Sequence, residues 1–250
     1  MYHLIIDIGN TCIKGAWYRQ SKLSKIVSSS YSKNELKSLA VQLQSKPIQS
    51  TIVCSVKKEL PTEVLNCLNK MSNVIRLTHE TPVPIKNLYK SPETLGLDRL
   101  ANAVGLTCYK LDIPMLSIDV GTCIKYDLVI PKNKYVGGSI SPGIKMRFKA
   151  LNEFTAQLPL VESKGKVFKI TGRNTTESII SGVLNGTLGE IESMIKTYEK
   201  QYPDIRIVLT GGDHRIFADK LKKSIFVAPN LTLNGLNEIL FFNQKNLEKK

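Results

Sequence analysis
A short segment occurs twice in this chain, and that repeat limits the folds open to it more than any other feature. Residues 4–15 read LIIDIGNTCIKG and residues 116–126 read LSIDVGTCIKY. Each is an apolar, β-branched run followed by Asp-x-Gly and, after at most one inserted residue, by Thr-Cys-Ile-Lys. Asp7 and Asp119 stand 112 positions apart in 250 residues, so one device opens each half of the chain. Self-similarity at this spacing predicts two similar domains, 1–112 and 113–250, facing each other across a cleft.

Hydrophobic periodicity supports the division. Strands are predicted over 4–7, 12–18 and 23–29, then a helix over 33–44, a strand over 50–55, a helix over 61–70 and a strand over 73–77. A loop with three prolines covers 79–92 and leads into a helix over 94–111. The second half begins with strands over 115–119, 123–130 and 135–139. A helix follows Pro142-Gly143 to about 152, and a long helix runs from the Asn174-Thr175 cap to 201. That helix carries Gly182, Gly186 and Gly189, where close packing is expected. A strand over 205–209, a helix over 213–222, a strand over 225–228 and a helix over 231–242 complete the chain. Strand triplets followed by alternating helices and strands mean mixed α/β, which excludes a sandwich or a helical bundle.

Bulk properties narrow the function. The start carries no basic leader or small-residue cleavage site, and no apolar run approaches the ~20 residues of a membrane span, so a cytoplasmic protein without a membrane partner is expected. Net charge is +14, yet only seven of the 35 basic residues are Arg and aromatics make up 7%. Readers of bases and phosphates rely on Arg forks and stacked aromatics, so the lysines read as surface solvation and no nucleic-acid partner is expected. Cysteines at 12, 54, 67, 108 and 123 form no CxxC pair. They read as small buried side chains, not as a zinc site or disulfide framework.

Three loops carry phosphate chemistry. In Asp7-Ile8-Gly9-Asn10-Thr11 the glycine admits a ligand close to the backbone, and the turn's N–H groups can cradle phosphate oxygens. Asp7 can hold a hydrated Mg²⁺, and Lys14 can reach a β- or γ-phosphate. A plain hairpin turn explains this segment equally well when it is taken alone. Asp119-Val120-Gly121-Thr122 repeats the arrangement. Leu209-Thr210-Gly211-Gly212-Asp213 offers a flat backbone for adenine or ribose, or an ordinary strand-to-helix turn capped by Asp213. Neither GxxxxGK[ST] nor GxGxxG occurs, which disfavours a P-loop or Rossmann site.

Taken together, these loops resemble those of the actin/hexokinase/Hsp70 ATPase superfamily, with two ribonuclease-H-like domains. Tyr89-x-x-Pro92-x-x-Leu95-Gly96-x-Asp98-Arg99, Gly137-Gly138-x-Ile140-x-Pro142-Gly143 and Asn174-Thr175 narrow the resemblance to type III pantothenate kinase, in the family's order over essentially the whole chain. The resemblance implies ATP-dependent phosphorylation of pantothenate, the first step of coenzyme A biosynthesis, by a homodimer. It implies ATP contacts from Asp7, Ile8, Gly9, Asn10, Thr11, Cys12, Ile13, Lys14 and Thr122, with Mg²⁺ accompanying the nucleotide. Asp98 becomes the proton acceptor for the pantothenate hydroxyl. Tyr89, Gly96, Leu97, Asp98, Arg99 and Thr175 become pantothenate contacts, and Asp119 a ligand of an activating K⁺ or NH₄⁺. Without the resemblance, Asp98-Arg99 reads as an exposed pair on a helix.

The chain departs from the family where a TATTFD-like run is usual and Cys123-Ile124-Lys125-Tyr126-Asp127 stands instead. Strand alternation puts Cys123, Lys125 and Asp127 on one face. Lys125 is therefore expected to pair with Asp127 on a solvated face and to leave Asp119 to the cation. Two other readings share the phosphate loops: a non-catalytic, nucleotide-binding transcriptional accessory factor, and another small-molecule kinase of the superfamily. The first leaves Tyr89, Asp98, Arg99 and Thr175 without a task, and the second leaves the 89–99 and 137–143 segments unexplained.

Overall fold
The run Leu4-Ile5-Ile6 is buried on both sides. In the computed structural model, which describes residues 1–110, 112–162, 169–221 and 225–247, it forms the middle of β1 (Tyr2–Ile8). β1 pairs antiparallel with β2 (Ile13–Arg19), and β2 with β3 (Lys22–Ser29). On its other edge β1 pairs parallel with β4 (Ile48–Ser55), which pairs parallel with β5 (Val74–Arg76). Leu4, Ile6 and Ile8 point to one face, as the period of two requires. There they pack with Ile13 and Trp17 against Leu36, Leu39 and Leu43 of α1 (Lys33–Leu43) and Val64 and Leu68 of α2 (Thr62–Leu68).

The opposite face is covered by α3 (Leu97–Thr107) and α7 (Leu231–Leu247). These two helices meet backbone to backbone. A Cβ on Gly235 would stand 1.8 Å from the Ala101 carbonyl oxygen, and one on Gly105 would stand 2.5 Å from that of Leu231. Tyr18 Oη donates to Asn234 Oδ1 at 2.7 Å, and Thr232 Oγ1 to Asn102 Oδ1 at 2.7 Å. The last helix therefore groups with the first half, and the compact units are Met1–Leu111 with Lys132–Val136 and Asn230–Lys250, and Asp112–Pro131 with Gly137–Pro229. This corrects the expected split, which placed residues 230–250 in the second domain. The α3–α7 packing depends on glycines more than 100 positions apart, a contact that local periodicity does not reveal.

The second sheet contains β7 (Met115–Val120), β8 (Cys123–Ile130), β9 (Lys134–Pro142), β10 (Arg206–Thr210) and β11 (Ile225–Val227). β7 pairs antiparallel with β8, and β10 pairs parallel with both β7 and β11. The first sheet has the order β3-β2-β1-β4-β5, and the second contains the run β11-β10-β7-β8-β9. Read from the other edge, that run repeats the first order strand for strand, so the sequence repeat is also a repeat of topology. Buried residues of β7, β8 and β10 pack with Ile144 and Phe148 of α4 (Ile144–Glu153), with Ile179, Val183, Leu184, Ile191 and Ile195 of α5 (Thr175–Gln201), and with Phe217 of α6 (His214–Ala218).

Most elements match their predicted positions within a few residues. The loop over 79–92 contains a two-residue strand, β6 (Lys86–Asn87), pairing in parallel with Lys134 and Tyr135. α3 starts later than 94 because a 3-10 turn, Pro92–Thr94, precedes an extended Leu95. α3 ends at Thr107 and α6 at Ala218, short of the expected ends at 111 and 222. Among those described, no helix is long and apolar enough to cross a membrane.

Candidate active site
The β1–β2 turn closes with Gly9 N donating to Cys12 O at 3.0 Å, and Asp7 stands opposite Lys14 in the ladder. Asn10 and Thr11 are exposed at the tip, while Ile8 and Ile13 are fully buried and hold the turn from beneath. Any nucleotide contact by those two isoleucines is therefore through the backbone. Tyr31 Oη donates to Gly9 O at 2.5 Å, and Lys57 Nζ lies 3.3 Å from the centre of the Tyr31 ring. Burial, reinforced by Cys12 and the Asp7 carboxylate, pushes the Tyr31 phenol above its ordinary range, which keeps it a donor. Tyr31 and Lys57 brace the turn and carry no sequence signal of their own. They come from a loop and a strand end remote in sequence.

The Tyr89–Arg99 segment forms a second focus in the same unit. Asp98 lies in the first turn of α3, where the helix dipole favours negative charge. Its Oδ1 accepts the Arg99 backbone N–H at 2.9 Å. A Cβ on Gly96 would come within 2.7 Å of the same oxygen, so a glycine is needed for the carboxylate to sit there. Arg99 is not an exposed partner of Asp98: it is 4% exposed, with its guanidinium carbon 5.5 Å from the centre of the Tyr89 ring. Tyr89 in turn stacks on buried Tyr135, with ring centroids 6.1 Å apart. Tyr135 was not among the expected residues, and its place under Tyr89 follows from the β6–β9 pairing.

In the second unit three glycine-bearing loops converge on the β7–β8 turn. Gly121 N donates to Cys123 O at 3.1 Å, and Thr122 is exposed at the tip. Gly143 N donates to Thr122 O at 3.1 Å, and a Cβ there would meet the carbonyl oxygens of Gly121 and Thr122 at 2.2 and 2.3 Å. Gly211 has φ +93°, and its Cβ would fall 2.3 Å from Val120 O and 2.5 Å from Asp119 Oδ1. Asp213 N donates to Val120 O at 2.9 Å, and His214 Nδ1 lies 2.6 Å from Gly211 O. Burial raises the Asp213 carboxyl above its usual range, with Lys145 and His214 opposing. A Cβ on Gly212 would meet nothing within 4 Å, so that backbone presents an open surface.

Asp119 and Lys125 stand directly opposite each other in the β7–β8 ladder. Lys125 Nζ is 2.8 Å from Asp119 Oδ2, with both side chains largely buried. The expectation that Lys125 pairs with Asp127 on a solvated face is thus corrected. Asp127 is fully buried and stands opposite Ser117. Alternation along one strand places residues on a face but does not say which residue lies across the ladder. The length of the turn decides that.

Thr175 is the first residue of α5 and is exposed, in the second unit, whereas Tyr89 and Asp98 belong to the first. Its helix start is fixed by Asn174 Oδ1 accepting from Glu177 N at 2.9 Å and Glu177 Oε2 accepting from Arg173 N at 2.9 Å, a reciprocal cap. Further along α5, Gly182, Gly186 and Gly189 are exposed, and among the described residues a Cβ at each would meet nothing within 4 Å, so the close packing expected there is not made by those residues. Of the cysteines, Cys54 and Cys67 are buried as expected, Cys12 and Cys123 are half-buried and Cys108 is exposed.

Glu190 of α5 collects the side chains around the Pro142-Gly143 turn. Its carboxylate accepts from Ser141 Oγ, from Tyr126 Oη at 3.2 Å and from the Arg147 guanidinium, while Arg147 Nε donates to Pro142 O at 2.8 Å. Burial pushes the Glu190 carboxyl up, but the bonds from Ser141 and Arg147 outweigh it and leave the group below its ordinary value of 4.5. A depressed carboxylate stabilises the folded state fully above the unfolded pKa, and this contribution fades as the pH falls through the folded one. Acid unfolding of Glu190→Gln, followed by circular dichroism, should depend less steeply on pH below about 4.5 than that of the unaltered chain. Superimposable slopes would remove Glu190 from this role.

A protein-family signature for type III pantothenate kinase matches residues 3–197. A type III pantothenate kinase of Phocaeicola vulgatus is 42% identical over 244 residues, covering 97% of this chain and 99% of the relative. One from Bacteroides fragilis is 41% identical over 243 residues, covering 96% and 98%. Among solved structures, a Campylobacter jejuni protein assigned to the Baf family of transcriptional activators shares 21% identity, with a TM-score of 0.61 over 97% of this chain and 99% of that one. The activator of 2-hydroxyisocaproyl-CoA dehydratase from Clostridium difficile, solved with bound ADPNP, gives 0.55 at 14% identity over 100% and 97%. At these identities the two structures speak for the fold alone, the actin-like ATPase fold.

Proposed function
The chain belongs to the type III pantothenate kinase family, and we propose from that premise how its residues divide the work. The reaction is ATP-dependent phosphorylation of pantothenate to 4'-phosphopantothenate, the first step of coenzyme A biosynthesis. Asp98 accepts the proton of the pantothenate hydroxyl as that oxygen attacks the γ-phosphorus. The observation that carries this reading is the Gly96–Asp98–Arg99–Tyr89 cluster, a half-buried carboxylate beside a buried guanidinium on an aromatic ring. Arg99 offers its fork to the substrate carboxylate or to the transferring phosphoryl. Tyr89, Gly96, Leu97 and Thr175 shape the pantothenate side.

The turn from Asp7 to Lys14 holds the ATP phosphates through its backbone N–H groups, Thr11 and Lys14, and Thr122 adds a further ATP contact. The Asp7 carboxylate beside an open turn fits hydrated Mg²⁺, which favours one or two carboxylates and completes its shell with water and substrate phosphates. Bound with ATP, the ion neutralises phosphate charge as it develops. The Gly211-Gly212 backbone, open at Gly212, takes the adenosine. Asp7→Ala should shift Mg²⁺·ATP saturation to higher concentration with a smaller effect on pantothenate KM. Unchanged ATP dependence across a Mg²⁺ titration would remove Asp7 from this role.

The enzyme acts as a cytoplasmic homodimer. The exposed glycines of α5 support that reading, because a helix surface without side chains admits close approach of a second copy. Sedimentation at micromolar concentration should give twice the 27.9 kDa chain mass. A single species at the chain mass would contradict it.

A further inference from the structure
The resemblance implies an activating K⁺ or NH₄⁺ bound by Asp119, but the donor set around this carboxylate does not fit a free cation. Oδ2 already accepts an ammonium hydrogen from Lys125 at 2.8 Å, and the two side chains are 15% and 10% exposed for Lys125 and Asp119. Oδ1 faces the Gly211 backbone, where even a methyl group would lie 2.5 Å away. The pairing is built into the fold, since Asp119 and Lys125 are direct partners across a tight hairpin. The Gly121-Thr122 turn that the pair supports is the one read above as an ATP contact. A second monovalent cation at this carboxylate would sit against a like charge.

We propose that the Lys125 ammonium supplies, as part of the chain, the positive charge that K⁺ or NH₄⁺ would bring, so that this kinase works without an added monovalent cation. The chemistry matches closely: a lysine side chain ends in an ammonium group, and NH₄⁺ is the same hydrogen-bond donor without the tether. The inference rests on the reading of Thr122, in the turn beside this pair, as an ATP contact.

The test compares pantothenate phosphorylation in KCl, NH₄Cl, NaCl and choline chloride at equal ionic strength, for the unaltered chain, Lys125→Ala and Lys125→Arg. The unaltered enzyme should run at the same rate in all four salts. Lys125→Ala should lose roughly 10-fold or more in choline, the cost of removing a charged hydrogen-bond donor, and recover in NH₄Cl or KCl. Lys125→Arg should stay independent of the salt. Melting temperature gives a readout that needs no activity: K⁺ against Na⁺ should leave the unaltered chain unmoved and raise that of Lys125→Ala. If the alanine variant does not fold, the unaltered chain decides by itself. A rate or melting temperature of the unaltered enzyme that rises severalfold, or by several degrees, with K⁺ or NH₄⁺ over Na⁺ would overturn the proposal. Absence of pantothenate phosphorylation in every salt would overturn the functional reading instead, and the melting comparison would still decide whether the site takes a cation.

Discussion

Asp98→Asn should lower kcat by ~10²–10⁴-fold, the usual worth of a positioned general base, while ATP binding stays close to that of the unaltered enzyme. The substitution is well suited to the question because the amide keeps an oxygen acceptor for the Arg99 backbone N–H that Asp98 Oδ1 receives at 2.9 Å. The start of α3, the Gly96 approach and the Arg99–Tyr89 stack therefore stay in place, and only the proton-accepting charge is lost. A change in positioning alone would raise the pantothenate KM together with any fall in kcat. The account predicts a fall carried mainly by kcat. Single-turnover measurement with saturating Mg²⁺·ATP and pantothenate separates the two. A variant with the original kcat would exclude Asp98 as the proton acceptor.

Gly211→Ala should markedly destabilise the second unit. Its φ of +93° lies where a residue with a Cβ is strained, and the added carbon would lie 2.3 Å from the Val120 carbonyl oxygen. Neither the carbonyl nor the Asp119 carboxylate beside it can yield without disturbing β7. Backbone strain and overpacking together put the loss of stability at about 2 kcal/mol or more. For a chain of this size that lowers the melting temperature by roughly 5 °C or more. Gly212→Ala is the internal control: among the described residues no atom lies within 4 Å of its Cβ, so melting should barely move. ATP should nevertheless bind more weakly to it, because the methyl group would project into the surface assigned to adenosine. Differential scanning calorimetry of the pair, with and without ATP, tests both statements. Equal melting temperatures for the two variants would contradict the packing argument.

Much of this fold was legible because it follows from local chemistry. The apolar runs that end in Asp7 and Asp119 are strand signals, and each Asp-x-Gly turn forces a hairpin. The order β3-β2-β1-β4-β5 then recurs in the second half. The start of α5 follows from Asn174 and Glu177, three residues apart. Features that depend on contacts across elements were harder to see. The placement of α7 beside α3 rests on Gly105 and Gly235 meeting facing backbones. Tyr135 lies under Tyr89 through a two-residue strand hidden in a proline-rich loop. Lys125 meets Asp119, a pairing that side-chain alternation does not reveal, because alternation sets a face and only the hairpin register sets a partner. Arg99 shows the same limit: the helix pattern alone leaves it exposed, whereas it is buried with its guanidinium over the Tyr89 ring.

The central claim is that this chain transfers the γ-phosphoryl of ATP to the hydroxyl of pantothenate. The direct measurement incubates the purified full chain with Mg²⁺·ATP and pantothenate and follows ADP and 4'-phosphopantothenate together by liquid chromatography and mass spectrometry. The account predicts equimolar formation of the two products, dependent on pantothenate and abolished in Asp98→Asn. ATP binding without pantothenate-dependent ADP or phosphorylated product would contradict it, and would favour a nucleotide-binding protein without kinase activity.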